Sequence, residues 1–200
     1  MASVAQWPCQ SIRSAATSSA CCPGLKAVFA TTLVVKEGLT AVSNGPEVER
    51  EALGDGRVRI RFADTMKMST YLAAWVVGPL EVTEPADARG VPVRIVHVPG
   101  KGALTSFAID SSVHSLNWFA DYYGIAYPEA KLDNVALPDF AQGAMENVGC
   151  VTYREQVLLI DPARSTQEEQ LGVAETVAHE IAHMWFGDLV TMRWWNGIWL

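Results

Sequence analysis

An α+β architecture is what this sequence predicts, with an all-β first half and a mixed second half. Three observations carry that expectation. Arg57-Val58-Arg59-Ile60-Arg61-Phe62 alternates strictly, which puts Val58, Ile60 and Phe62 on one strand face. Apolar residues recur at helical spacing over Ile109–Tyr123 and again over Leu171–Trp185. Turn signals such as Asn44-Gly45-Pro46 and Gly54-Asp55-Gly56 separate the candidate strands of the first hundred residues.

The elements follow in order. Residues 1–24 are rich in Ser, Ala and Cys, show no period, and read as an atypical, poorly ordered segment. Val28–Val35 is a continuous apolar run suited to a buried strand. Ser69–Val77 is a strand candidate stopped by Gly78-Pro79, and Val91–Val98 is another, ended by Pro99-Gly100. Ile109, Val113, Leu116, Ala120 and Tyr123 predict a helix with Gly124 as its stop. Strands return at Lys131–Leu137 and Cys150–Ile160. A second helix is signalled by Ser165 with Glu168 as a capping box. Its stripe is Leu171, Ala174, Val177/Ala178, Ile181 and Trp185, with Gly187 at the exit. These signals put a domain boundary near residue 100, dividing 25–100 from 101–200.

Bulk composition excludes several classes. With 200 residues, 50% hydrophobic and 18% charged, the chain can bury a real core. A formal charge of −7 argues against nucleic acid as a partner, because phosphates need a basic face. The four cysteines, Cys9, Cys21, Cys22 and Cys150, form no C-x-x-C pair, which disfavours a cysteine metal site or a disulfide framework. The longest apolar run, Leu25–Val35, is too short to span a bilayer. No basic-then-apolar leader opens the chain, so the expected location is cytoplasmic.

The chemistry concentrates in His179-Glu180-Ile181-Ala182-His183, inside the second predicted helix. Residues four apart share a helix face, so His179 and His183 can grip one metal ion. Two of the chain's four histidines fall at this spacing, with a glutamate between them in an apolar stretch. Burying two imidazoles and a carboxylate without partners is costly, and zinc would supply the partner. Zinc lowers the pKa of water from about 15.7 toward about 7, and Glu180 is placed to take the proton. This motif alone does not separate an endopeptidase from an exopeptidase.

Gly143-Ala144-Met145-Glu146-Asn147 precedes the helix. Taken alone, it reads as a surface turn with one exposed glutamate. An acidic residue facing zinc would instead pair with a free α-ammonium group and fix the cut one residue from the chain end.

Taken together, Gly143–Asn147, His179–His183, the run from Met184 to Thr191, Trp194-Trp195-Asn196 and Trp199-Leu200 closely resemble the aminopeptidase N family, zinc metallopeptidases of the gluzincin type. Met68–Leu72 and Lys131–Asp133 also look like the family, so the match spans residues 25–200. The resemblance implies an N-terminal β-domain followed by the first part of a thermolysin-like catalytic domain. It implies one zinc ion held by His179 and His183, with Glu180 as general base. Glu146 would bind the N-terminal amine of a peptide substrate, with Gly143, Ala144, Met145 and Asn147 beside it along a strand edge.

Three departures accompany the resemblance. The family pattern continues past Trp199-Leu200 with Asn-Glu, whose glutamate would be the third zinc ligand. A catalytic tyrosine would lie further downstream. Ala20-Cys21-Cys22-Pro23-Gly24 stands where the family carries Cys-Trp-Asp-Glu-Pro, so residues 1–24 look foreign. The expectation is a fragment inactive by itself, and a non-catalytic or peptide-binding remnant is the alternative. Trp185, Trp194, Trp195 and Trp199 crowd one end and predict exposed aromatic surface.

Overall fold

The computed structural model describes residues 3–6 and 23–197. The strands of the first half are β1 Ser3–Gln6, β2 Lys26–Ala27, β3 Thr32–Lys36, β4 Thr40–Ser43, β5 Glu47–Ala52, β6 Arg57–Phe62, β7 Met68–Ser69, β8 Ala74–Gly78, β9 Glu81–Val82, β10 Ala86–Ala88 and β11 Val91–His97. Then come α1 Ser106–Tyr123, β12 Leu132–Leu137, β13 Ala144–Met145, β14 Cys150–Arg154 and α2 Gln167–Ala182. The α+β expectation is met, with a β-rich start followed by a partly helical second half.

Alternation builds the first sheet, ordered β3-β6-β5. Val58, Ile60 and Phe62 point inward against Val35 and Ala41. Their neighbours Arg57, Arg59 and Arg61 point outward and pair with Asp55, Glu51 and Glu49. Such exposed pairs contribute about 0–1 kcal/mol each, so the apolar face is what holds this sheet.

The largest sheet runs β10-β11-β12-β14-β13, with β9 also on β11. Its centre is parallel, β11 to β12 and β12 to β14. All six residues of β12 are buried, as expected for a parallel strand covered on both faces. One side packs Leu132, Ala136, Val151 and Tyr153 with Leu116, Val177, Ile181 and Trp185 of the helical layer. The other packs Val135, Leu137 and Cys150 with Ala74 and Val76.

A polar junction joins the β-rich start to this sheet. The Asn44 side chain accepts from Ala74 N (2.9 Å) and donates to Leu72 O (2.9 Å) and Val148 O (2.8 Å). Lys131 Nζ donates to Ser43 O (2.6 Å) and Gly149 O (2.5 Å) and lies 2.9 Å from Asp133. Arg94 grips Asp133 with two bonds of 2.7 and 2.8 Å. Burial pushes the Asp133 carboxyl up, but Lys131 and Arg94 outweigh it and hold it below the usual carboxylate range.

Several sequence expectations are corrected in detail. Ser3–Gln6, expected to be unstructured, pairs antiparallel with Ala74–Val77, while 7–22 lie outside the described residues. The strand predicted over 28–35 is Thr32–Lys36, and Val34 is exposed, because β3 is an edge strand with one wet face. The strand over Ser69–Val77 is broken by a 3-10 turn at Thr70–Leu72, and Cys150–Ile160 ends at Arg154 in another. The capping box is Thr166 with Glu169, one residue later than expected, because Ser165 instead bonds Asp161 O. Leu171 faces water, and the buried stripe is Val173, Val177, Glu180 and Ile181. A boundary near residue 100 meets a sheet that crosses it, since β11 hydrogen-bonds β12. Trp185 is buried and donates to Ile125 O (2.9 Å), whereas Trp194 is exposed; Trp199 lies outside the described residues.

Two substitutions test the junction. Gly149 has φ of 71°, and a Cβ there would sit 2.3 Å from Asn44 O. Gly149→Ala is expected to cost about 2–4 kcal/mol in urea unfolding. Asp133→Asn leaves Lys131 and Arg94 without their shared anion and is expected to cost about 3–5 kcal/mol. A change under about 1 kcal/mol in either variant would mean that the junction does not hold the two parts together.

Candidate active site

The α2 helix begins at a capping box that satisfies its free N–H groups, with Glu168 and Glu169 in the first turn. It ends at Ala182, with His183 as the C-cap and its N–H on His179 O. One helical turn therefore separates the two imidazoles. Their rings stand 4.6 Å apart at 88°, and the two Nε2 atoms are 3.1 Å apart. His183 Nδ1 lies 2.9 Å from Phe186 O. A carbonyl only accepts, so Nδ1 carries the proton and Nε2 presents its lone pair toward His179.

The turn after the helix shapes this arrangement. Gly187 has φ of 134°, and a Cβ there would lie 3.1 Å from His183 Nδ1. Glycine therefore leaves room for the ring in a conformation that other residues rarely adopt. The turn is held from outside by Tyr71, whose hydroxyl donates to Gly187 O (3.3 Å), and by Thr191 on Gly187 O (2.6 Å).

Three buried groups beside the helix have no hydrogen-bond partner: Glu180 Oε2, the Tyr153 hydroxyl, and both carboxyl oxygens of Asp188. Burial, then the negative field of Glu146, pushes the Glu180 carboxyl up to about 8. Burial and then Glu146 also carry Asp188 well above its usual range, with Lys26 opposing. Burial raises the Tyr153 hydroxyl, and Glu180 adds to it. For His179, burial and His183 lower the pKa, while Glu146 opposes them.

Glu146 follows β13, the two-residue strand at one end of the large sheet. Gly143 is exposed, with nothing within 4 Å of where a Cβ would stand, and its carbonyl accepts from Arg154 N (2.8 Å). Ala144, Met145 and Glu146 are half-buried. Asn147 comes next in the chain. It is fully buried, donates to Leu72 O (3.3 Å), and accepts from Thr152 (3.1 Å), so it anchors the loop.

The structure thus brings His179 and His183 together and places Glu180 in the buried face of the same helix. Glu146 acts on them through its field. Among the described residues, no group of three or more His, Cys, Asp or Glu side chains is arranged to hold a metal ion. Sequence reasoning missed Lys26 and Tyr153. No spacing could have found Lys26, which reaches Asp188 O from 162 residues away.

Comparison with known proteins fits this geometry. Residues 13–72 match the Peptidase M1 N-terminal domain, and residues 107–200 match the Peptidase family M1 domain. The chain belongs to peptidase family M1. It is 45% identical over 179 residues to puromycin-sensitive aminopeptidase of Caenorhabditis elegans, covering 89% of this chain and 19% of that protein. It is 43% identical over 178 residues to endoplasmic reticulum aminopeptidase 1 of Homo sapiens, with 89% and 19% covered. It is 48% identical over 178 residues to mitochondrial aminopeptidase 2 of Saccharomyces cerevisiae, with 89% and 18% covered. The chain spans about a fifth of the length of these curated relatives. The N-terminal match begins at residue 13, so it reaches into the segment that the sequence alone marks as foreign. Among the described residues, no helix is long and apolar enough to cross a membrane.

The raised Glu180 carboxyl sets a pH dependence in the metal-free chain. The unfolded chain loses this proton near 4.5 and the folded chain near 8, so unfolding is increasingly favoured between those values. The urea midpoint is expected to fall as pH rises from about 5 to about 8, and Glu180→Gln to flatten part of the fall. Equal slopes for the two chains would contradict a buried acid at this position.

Proposed function

We propose that this chain carries the N-terminal β-region and the first part of the catalytic region of a zinc-dependent aminopeptidase. The observation that carries the reading is the pair of Nε2 atoms 3.1 Å apart, beside a buried carboxyl oxygen without a partner. Nitrogen ligands at about 2.0–2.1 Å in tetrahedral geometry stand roughly 3.3 Å apart, so the donor set fits zinc. Zinc bound there would supply Lewis acidity, polarising a carbonyl and easing proton loss from water.

The remaining work falls to the chain's own residues. Glu180 takes a proton at its carboxylate and hands it to the departing amine. The free edge of β13 can receive an extended peptide backbone by strand addition, with Gly143 and Ala144 open to close approach. Glu146 meets the peptide's terminal ammonium and limits the cut to one residue. Substrates are therefore peptides with a free N-terminus. Relatives named for the endoplasmic reticulum and for the mitochondrion mean that membership carries no compartment to this chain, and the cytoplasm stays a proposal from its sequence. We also place the division between the β-region and the catalytic region nearer residue 80 than 100, because β9 to β11 belong to the sheet of β12.

A second reading is peptide binding without turnover, since among the described residues the pair His179 and His183 is joined by no third metal-binding side chain. Catalytic zinc sites normally use three protein ligands. The isolated chain is expected to bind zinc weakly and to release no arylamine from aminoacyl-arylamides above the buffer rate. Robust turnover, abolished by Glu180→Gln, would overturn this. Within a longer protein that carries the remaining ligand, Glu180→Gln is expected to lower kcat about 10²–10⁴-fold. Glu146→Gln should raise KM roughly 10–100-fold. N-acetylated peptides should resist cleavage, and their cleavage would point instead to an endopeptidase.

A further inference from the structure

We propose that Lys26 is a positioning residue for the metal-binding face of α2, setting the His183 ring from the other end of the sequence. This rests on the reading of His179 and His183 as a metal pair. The Lys26 ammonium donates to Asp188 O at 2.8 Å and to Leu189 O at 2.9 Å. These two carbonyls close the turn that follows the helix. Within that turn, Asp188 N bonds His183 O (3.0 Å), Leu189 N bonds Met184 O (3.2 Å), and Gly187 N bonds Val190 O (2.8 Å). The same turn carries Phe186 O, which receives the His183 Nδ1 proton. Fixing the far end of the turn therefore fixes the acceptor that orients the ring.

The grip is built from one pair of strands. β2 carries Lys26 and pairs with β7, Lys26 opposite Ser69. The chain leaves β7 directly into the 3-10 turn that holds Tyr71, whose hydroxyl reaches Gly187 O. A donor on this ladder and one on the turn that follows it thus hold three successive carbonyls, at 187, 188 and 189. A flexible donor with three N–H groups is suited to this place, since it meets two neighbouring carbonyls at once. Groups that orient a metal-binding histidine typically change metal affinity about 10–100-fold when removed.

The test compares the 200-residue chain with its Lys26→Met, Lys26→Arg and His183→Ala variants. Two quantities are measured: the imidazole nitrogen and proton resonances of His183 in the metal-free chain, and the affinity for cobalt(II) from its visible absorption. The expected result is a shifted or exchange-broadened His183 Nδ1 proton and cobalt affinity weakened about tenfold in Lys26→Met. Lys26→Arg should recover both. His183 resonances unmoved in a folded Lys26→Met chain would overturn the proposal, as would moved resonances with unchanged cobalt affinity. If Lys26→Met does not fold, Lys26→Gln takes its place under the same criteria. Equal cobalt affinity in the parent chain and His183→Ala would instead defeat the metal reading itself, whatever Lys26 does to the ring.

Discussion

The close approach of the Ser43-Asn44 turn to Gly149 is the constraint on which the rest of the molecule depends. There the β-rich start meets the large sheet through backbone contact that leaves no room for a side chain. Asn44 uses its whole amide in this contact, and Lys131 uses its three donors on two carbonyls and one carboxylate. Desolvating these groups costs several kcal/mol, which only complete pairing offsets. Because Gly149 and Val148 sit between Asn147 and β14, the junction also fixes the loop that carries Glu146.

The helical side shows the opposite economy. Glu180 Oε2, the Asp188 carboxyl oxygens and the Tyr153 hydroxyl are buried and unpaired, although most buried polar groups in a folded protein find partners. Local inconsistency of this kind collects where a protein binds or reacts. It also explains the direction of the raised carboxyl pKa values. The fold places acids where water cannot reach them and sets Glu146 to repel them further.

Much of this organisation was legible in the residues. The alternation of Arg57–Phe62 names a face that is buried as read, while the stripe of Ile109–Tyr123 packs against the core with Leu116 buried and Ile109, Val113, Ala120 and Tyr123 only partly so. The pairing of His179 with His183 follows from helical geometry alone. Errors fell where tertiary contacts outvoted local pattern. Leu171 fits the helical stripe by composition, yet it is more than half exposed. Ser165 and Thr166 are both competent caps, and the bond from Ser165 to Asp161 decided between them. The Asn147 amide bonds Leu72 and Thr152 inside the protein, contacts that no local pattern signals. Lys26 had no local signal, since its partners lie at the opposite end of the chain.

The brevity of β13 has its own consequence. An outermost strand of only two residues offers little template for another copy of the chain, so the rim of the sheet is protected from stacking into fibres. The same shortness means that any guest segment lying against it gains few ladder bonds and little fixed register. Under the proposed reading, grip on such a guest comes from its charged tip rather than its length, which favours quick release over tenacious holding.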